Sequence, residues 1–206
     1  MAGHSCGHEH HEHDHSGPDL GALYSLYTKI DIQKVECLNE ETDGSGKFVF
    51  KAWDKRMETD KYVQSDADEE LLFNIPFTGN VKLKGVIVIG GENDMHPSKM
   101  KLFKNRPKMS FDDTSQHCDE EFDLQPDYKG ELEYNTKVAR FSNVEHLSIY
   151  FPTNFGNDNT RVYYIGLKGD FTQAHKHGVT ICTYESRANP ADHESKAYDP
   201  TSQFIH

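Results

Sequence analysis

The stretch that most constrains this chain is "LLFNIPF" (71–77), followed closely by "VKLKGVIVIGG" (81–91). In the first, Leu71, Phe73, Ile75 and Phe77 fall on one side of an extended chain, and the second opens with the same alternation at Val81 and Leu83. A period of two marks a half-buried strand. From Val86 to Ile89 both sides are apolar, as in a strand covered on both faces. "KMKLFKN" (99–105), "KVARF" (137–141), "EHLSIYF" (145–151), "RVYYIGL" (161–167) and "GVTICTY" (178–184) read as further strands. "TGN", "NRP", "TNFGNDN" and "KGD" read as the turns between them. "LYSLYTKIDIQKVECL" (23–38) is ambiguous and is read as extended, ending near Leu38. No segment sustains a helical period. Seven or more short strands divided by polar turns predict an all-β fold, a β-sandwich with jelly-roll strand order.

The apolar fraction is lean at 35%, but twelve Phe and ten Tyr can fill a compact β core. Residues 20–185 are read as one domain. Residues 1–19 form a His-rich tail without apolar periodicity, expected to be disordered. Residues 186–206 form a polar C-terminal tail, also expected to be disordered, in which prolines block regular structure. The formal net charge of −12 argues against nucleic acid as a partner. The longest apolar run, "GVIVIGG" (85–91), is far short of the ~20 residues that span a bilayer, so no membrane association is expected. The N-terminus shows no secretory signal, and Cys6, Cys37, Cys118 and Cys182 form no C-x-x-C pair. Both features fit free thiols in a reducing cytosol or nucleus. The free chain is expected to be a monomer.

Four groupings invite a chemical reading. His8, His10, His11, His13 and His15, with His4 before them, form a tract that binds Zn or Ni adventitiously. The alternative is a solvated tail with no physiological metal, and no required cofactor is read from the chain. A catalytic metal needs ligands held by a rigid second shell, which a loose tail does not supply. "SDADEE" (65–70) starts like a calcium loop and then fails, because Leu71 follows and Phe77 stands where the bidentate Glu belongs. It is read as a charged turn leading into the strand at Leu71. Lys99, Lys101, Lys104, Arg106 and Lys108 form a basic run without acids, followed by an acidic run from Asp112 to Asp123. The pair is either a docking surface that steers a protein partner or two segments that screen one another. No nucleophile elbow, P-loop, G-x-G-x-x-G or H-E-x-x-H is present, and no carboxylate pair stands out. The chain is therefore read as a non-enzyme.

Several long blocks carry a resemblance: "ECLNE" (36–40), "SDADEELLFNIPFTGNVKLKGVIV" (65–88), "KMKLFKNRPKMSFDD" (99–113) and "VARFSNVEHLSIYFPTNFGNDNTRVYYIGLKG" (138–169). In order and spacing they resemble the PITH domain, the proteasome-interacting module at the C-terminus of thioredoxin-like proteins. The resemblance covers roughly residues 20–185. It implies a jelly-roll sandwich of the galactose-binding-like shape and association with the 26S proteasome at its regulatory particle. It implies no redox activity, since the thioredoxin domain and its C-x-x-C are missing here, and it carries over no catalytic residues. In these blocks Leu71, Phe73, Ile75, Phe77, Val81, Leu83, Ile87, Leu147, Ile149, Val162 and Tyr164 read as inward-facing core, and "NFGNDNT" (154–160) as a polar loop at one end of the sandwich.

Three classes of function follow. The first is a non-enzymatic adaptor or regulator on the proteasome regulatory particle. The second is a small-ligand or carbohydrate-binding jelly-roll, which would need a concave pocket lined by aromatics and an Arg. The third is a metal handler acting through the His tract. The closing "SQFIH" adds a detail to the first. Phe204 and Ile205 are apolar residues at the end of a polar tail, suited to anchoring in a groove. His206 then offers an imidazole to a metal. The implied partner contains a zinc deubiquitinase, so an imidazole in the open position of its zinc would gate ubiquitin removal.

Overall fold

The computed structural model describes residues 24–172. Among these residues eight strands are present: β1 (Glu36–Leu38), β2 (Val63–Gln64), β3 (Leu71–Gly90), β4 (Lys99–Lys104), β5 (Glu120–Asp123), β6 (Tyr134–Asn135), β7 (Val144–Phe151) and β8 (Arg161–Thr172). All pairings are antiparallel, in the order β2-β8-β3-β7-β4-β5, with β1 and β6 each pairing additionally with β3. The early half of β3 lies between β1 and β7, whereas its later half lies between β8 and β6. One strand thus serves both layers of a jelly-roll sandwich. Short 3₁₀ turns make up the rest of the regular structure, and no helix among the described residues is long and apolar enough to cross a membrane.

The core sits between the layers. Phe73, Ile75, Leu102, Leu147, Ile149 and Phe151 enter it from one side, and Val81, Leu83, Val86, Val88, Val162, Ile165 and Leu167 from the other. Phe50 and Phe151 meet Phe73 edge-on at 6.0 Å, the arrangement that ring quadrupoles favour. Outside the first layer, Leu72, Phe103, Met109 and Tyr150 form a second cluster.

Five expectations need correction. The "KGD" at 168–170 is not a turn but part of β8, which pairs with β3 through it and runs on to Thr172. The "TGN" at 78–80 is not a turn. Strand β3 runs straight through it, and the irregularity of pairing between Pro76 and Val81 absorbs the change from one layer to the other. A side chain at Gly79 would meet the Phe171 ring at 2.8 Å, so the glycine permits a close crossing rather than a reversal. "KVARF" is not a strand but a turn, held by Lys137 N–H on the Glu120 carboxylate; Phe141 is still buried, and its carbonyl accepts from Leu83 N–H. Residues 27–29 and 32–34 form two 3₁₀ turns before the short β1, where extended chain was expected. Ile87 and Tyr164 are buried, but not in the central core. They pack with Ile89 on the outer face of the second layer, beneath Trp53 and Tyr163.

The last correction has a simple cause. Leu83 opposes Gly169 and Gly85 opposes Lys168, so Lys84 is an extra residue in the ladder. A one-residue bulge moves every later side chain to the opposite face. The inward positions are therefore 81 and 83 before it, then 86 and 88 after it. β8 makes a matching slip between Val162 and Tyr164. The strand expected at 178–184 lies outside the described residues.

Candidate functional site

The basic run divides into two parts with different fates. Lys99, Lys101 and Lys104 lie on β4, which pairs with the acidic β5. Lys99 reaches Glu121 at 3.0 Å and Asp123 at 3.6 Å, and Lys101 stands opposite Glu121 in the register. Contact with Glu121 and Asp123 raises the Lys99 ammonium above its usual range. Lys104 gives its backbone N–H to Asp119 and its ammonium to the Arg140 carbonyl. Lys99 and Lys104 are occupied by the chain's own acids and carbonyls, and Lys101 faces Glu121 across the ladder without an ion pair among the described residues. The strand at 120–123 arises in what sequence reading treats as a solvated acidic run; cross-strand pairs of opposite charge favour it.

Arg106 and Lys108 instead sit on the loop after β4, and that loop is rigidly built. Asn105 and Lys108 both adopt left-handed backbone, with φ of 55° and 57°. Such conformations cost free energy in a non-glycine residue and persist only where the surroundings enforce them. Here the Asn105 side chain accepts from the N–H of Glu145 (2.9 Å) and His146 (3.3 Å) and donates to the Asn143 carbonyl (2.8 Å). Arg106 donates to the His117 carbonyl at 2.8 Å and lies 4.9 Å above the Phe103 ring. At the far end the buried Asn74 side chain grips Met109, donating to its carbonyl at 2.9 Å and accepting from its N–H at 3.1 Å. Ser148 Oγ donates to the same Asn74 oxygen at 2.9 Å.

Between this loop, the 33–36 segment and Asn74–Pro76 lies a groove of about 380 Å³. Lys34, Arg106, Lys108 and His146 line it, with Glu36 as the acid among them. Lys34 is held by Asp31 at 2.6 Å. Arg106 and Lys108 have no carboxylate in ion-pair range among the described residues. Asp113 is held below the usual carboxylate range mainly by its bonds from the Ser110 backbone and hydroxyl, with the Arg106 field adding to them. The groove therefore offers a fixed pair of cations beside apolar and amide surface. That suits an extended segment bearing carboxylates.

The other sequence groupings are used locally. In "SDADEE", Asp68 accepts from Asn39 Nδ2 at 2.7 Å and from Glu70 N–H at 3.0 Å, shaping the turn into β3. Among the described residues no three His, Cys, Asp or Glu side chains converge as a metal site. The 154–160 loop is closed on itself through the side chains of Asn154 and Asn157, while the Asn159 side chain ties it to the Ser65 and Asp66 carbonyls. His8, His10, His11, His13 and His15, and likewise Phe204, Ile205 and His206, lie outside the described residues. A cleft of about 490 Å³ lies between residues 25–28 and 52–56, lined by Tyr27, Trp53 and Arg56.

Sequence reading missed Asn74 and Asn105, which hold the groove. The only signal was an Asn in the turn sequence "KNRPK", a residue type that tolerates left-handed backbone. It also missed His96. That ring is buried, its Nδ1 lies 2.7 Å from the Pro97 carbonyl, and its Nε2 has no hydrogen-bond partner among the described residues. Burial lowers its pKa from the usual histidine value, against the raising influence of the Pro97 carbonyl and the Asp127 charge.

The comparisons agree with one another. The profile described as the PITH domain matches residues 17–188. A PITH domain-containing protein of Drosophila melanogaster, CG6153, is 62% identical over 200 residues, covering 97% of this chain and 94% of its own. PITH domain-containing protein 1 of Homo sapiens is 57% identical over 185 residues, covering 90% and 88%. The Dictyostelium discoideum protein of that name is 38% identical over 203 residues, covering 98% of each. Among solved structures, the family 32 carbohydrate-binding module of Clostridium perfringens NanJ, in complex with galactose, has a TM-score of 0.50 at 8% identity, covering 70% of this chain and 97% of that one. That likeness concerns the jelly-roll fold alone. On the profile and on these relatives, the chain belongs to the PITH domain family.

Proposed function

We propose that the chain is a non-enzymatic adaptor or regulator that docks on the regulatory particle of the 26S proteasome, in the cytosol or nucleus. The partner follows from the family, whose domain takes its name from proteasome interaction. The observation that carries docking is the preorganised loop holding Arg106 and Lys108 over the groove beside Asn74. A rigid loop loses little entropy on binding, and unpaired cations at a rim steer encounter with an acidic partner. Reversing Arg106 and Lys108 to Glu should weaken binding to purified 26S proteasomes, most strongly at low salt. Reversing Lys99 and Lys101 should change it much less, because acidic strand β5 already faces them. Equal effects from the two pairs would remove the groove from the docking surface.

The C-terminal residues give this reading an activity to modulate. Phe204 and Ile205 anchor the tail, and the His206 imidazole occupies the open position of the partner's deubiquitinase zinc, displacing its water. His206→Ala and deletion of 204–206 should each leave the fold intact and relieve inhibition of ubiquitin removal. Unchanged ubiquitin removal with the parent chain and both variants would refute this role.

A second reading, a small-ligand module, is favoured by the cleft at Tyr27, Trp53 and Arg56, whose size falls within the ~300–1,000 Å³ of ligand sites. Trp53 is the single tryptophan, so its fluorescence during titration with galactose and related sugars reports directly on this cleft. No change at any concentration ends the carbohydrate form of the idea.

A further inference from the structure

The outer face of the second layer carries large side chains that the groove does not use. Seven large apolar or aromatic residues are exposed among the described residues, and four of them fall here: Met57 (50%), Tyr62 (36%), Tyr128 (46%) and Phe155 (40%). They are connected. Tyr62 meets Tyr163 edge-on at 5.9 Å, and Met57, Tyr128 and Tyr163 border one shallow depression with Arg56. Tyr128 and Phe155 both lean on the buried His96 ring, at 6.2 and 6.1 Å. A connected exposed patch of this kind is unusual on a free monomer and marks an interaction site. Its composition of Tyr, Met and Arg is that of protein interfaces.

The charges on this face point to one kind of occupant. The Arg161 guanidinium lies 4.5 Å above the Tyr62 ring, and that of Arg56 4.0 Å above the Trp53 ring. Among the described residues Arg161 hydrogen-bonds only to the Gln64 side-chain oxygen, and Arg56 only to the carbonyls of Trp53 and Lys129. Neither has a carboxylate in ion-pair range among the described residues, whereas Lys84, Lys129 and Lys168 all do. Each arginine also keeps one terminal NH₂ group unbonded among the described residues: Nη2 of Arg56 and Nη1 of Arg161. Glu92 is the one acid bordering the depression. Two flat guanidiniums with spare donors among exposed rings complement carboxylates set between apolar side chains. The depression encloses only about 50 Å³, too little for a small ligand, for which ~300 Å³ is the lower end. A shallow aromatic face of this kind fits a protein surface.

We propose that this face is a second docking surface, which takes an acidic, apolar-containing protein segment of the proteasome regulatory particle. This rests on the proteasome reading above. Three measurements on purified 26S proteasomes test it, using the full chain. Arg56→Glu with Arg161→Glu should bind at least ~10-fold more weakly than the parent, as should Tyr128→Ser with Phe155→Ser, which leaves both arginines in place. Thermal melts accompany both, so that a loss of binding counts only with a parental midpoint. Benzoylphenylalanine at Tyr62 or Tyr128 should crosslink, on illumination, to a segment richer in Asp and Glu than in Lys and Arg. This readout does not depend on the folding of either double variant. Crosslinking to a basic segment, no crosslink from a proteasome-bound chain, or parental affinity in folded variants overturns the second surface and leaves the proteasome reading standing. A parent chain that does not bind proteasomes at all overturns both.

Discussion

At the scale of single residues, His96 shows what burial does to a group whose sequence context says nothing. "DMHPS" has no motif, and only the tertiary fold brings Tyr128 and Phe155 over the ring. Nδ1 must donate to the Pro97 carbonyl, because a carbonyl only accepts. A neutral ring then has no proton at Nε2, the buried atom without a partner. Burial lowers the folded pKa below that of the unfolded chain, about 6.5. The unfolded state therefore takes up the proton more readily as the pH falls. The stability that His96 contributes is full above ~6.5 and is lost as the pH falls through the lowered folded value. Melts from about pH 7.5 to about pH 5.5 should show a steeper fall in the parent than in His96→Phe. Parallel curves would mean that His96 does not carry this dependence. Burial acts in the other direction on Tyr164, whose phenol is pushed up to about 12, and on the Cys37 thiol, which is raised well above its ordinary value. Cys37 is thus a poor nucleophile at neutral pH. The basic run was legible in sequence, but its division was not. Whether a lysine is engaged depends on which strand folds beside it, and "EEFD" carries little strand propensity of its own.

At the scale of elements, the alternation in β3 was legible as far as Leu83 and misleading beyond it. A bulge is set by pairing with β8 rather than by local pattern, so a sequence read as uninterrupted alternation puts Ile87 on the wrong face. The turn signals failed in the same way at "TGN", where a glycine serves a close approach of Phe171. The loop over the groove depends on one side chain from a neighbouring strand. Asn74→Ala removes its two bonds to Met109 and its bond from Ser148, leaving Met109 polar groups buried without partners. The expected loss of stability is about 2–4 kcal/mol, read as a shift in the urea midpoint. Faster hydrogen exchange at Met109 and Lys108 should accompany it, since the left-handed backbone at Lys108 is no longer enforced. Unchanged exchange there would show that the Asn105 contacts alone hold the loop.

At the scale of the molecule, sharing one strand between layers ties them into a single cooperative unit. Phe73→Ala removes the ring between Phe50 and Phe151 in the core, and large-to-small changes of this kind cost ~3–5 kcal/mol. Trp53 sits by the outer cluster of the other layer. Its fluorescence and the far-UV circular dichroism should nevertheless lose their signals at one common, lowered denaturant concentration. Separate transitions would show that the layers melt independently. The fold class was legible because the strand count and spacing do not depend on face assignment, whereas the two surfaces arise from bulges and loops that only the assembled sheet defines. The same long strand sets a timetable for synthesis. β3 cannot be flanked on both sides until β7 and β8 emerge, some ~70–90 residues after it, as pairings such as Leu71 with Phe151 and Asn80 with Thr172 require. A growing chain therefore carries twenty residues of strand with an open edge until β7 and β8 have been made. In that interval its unpaired edge and apolar side chains are exposed to aggregation, the exposure that chaperones cover.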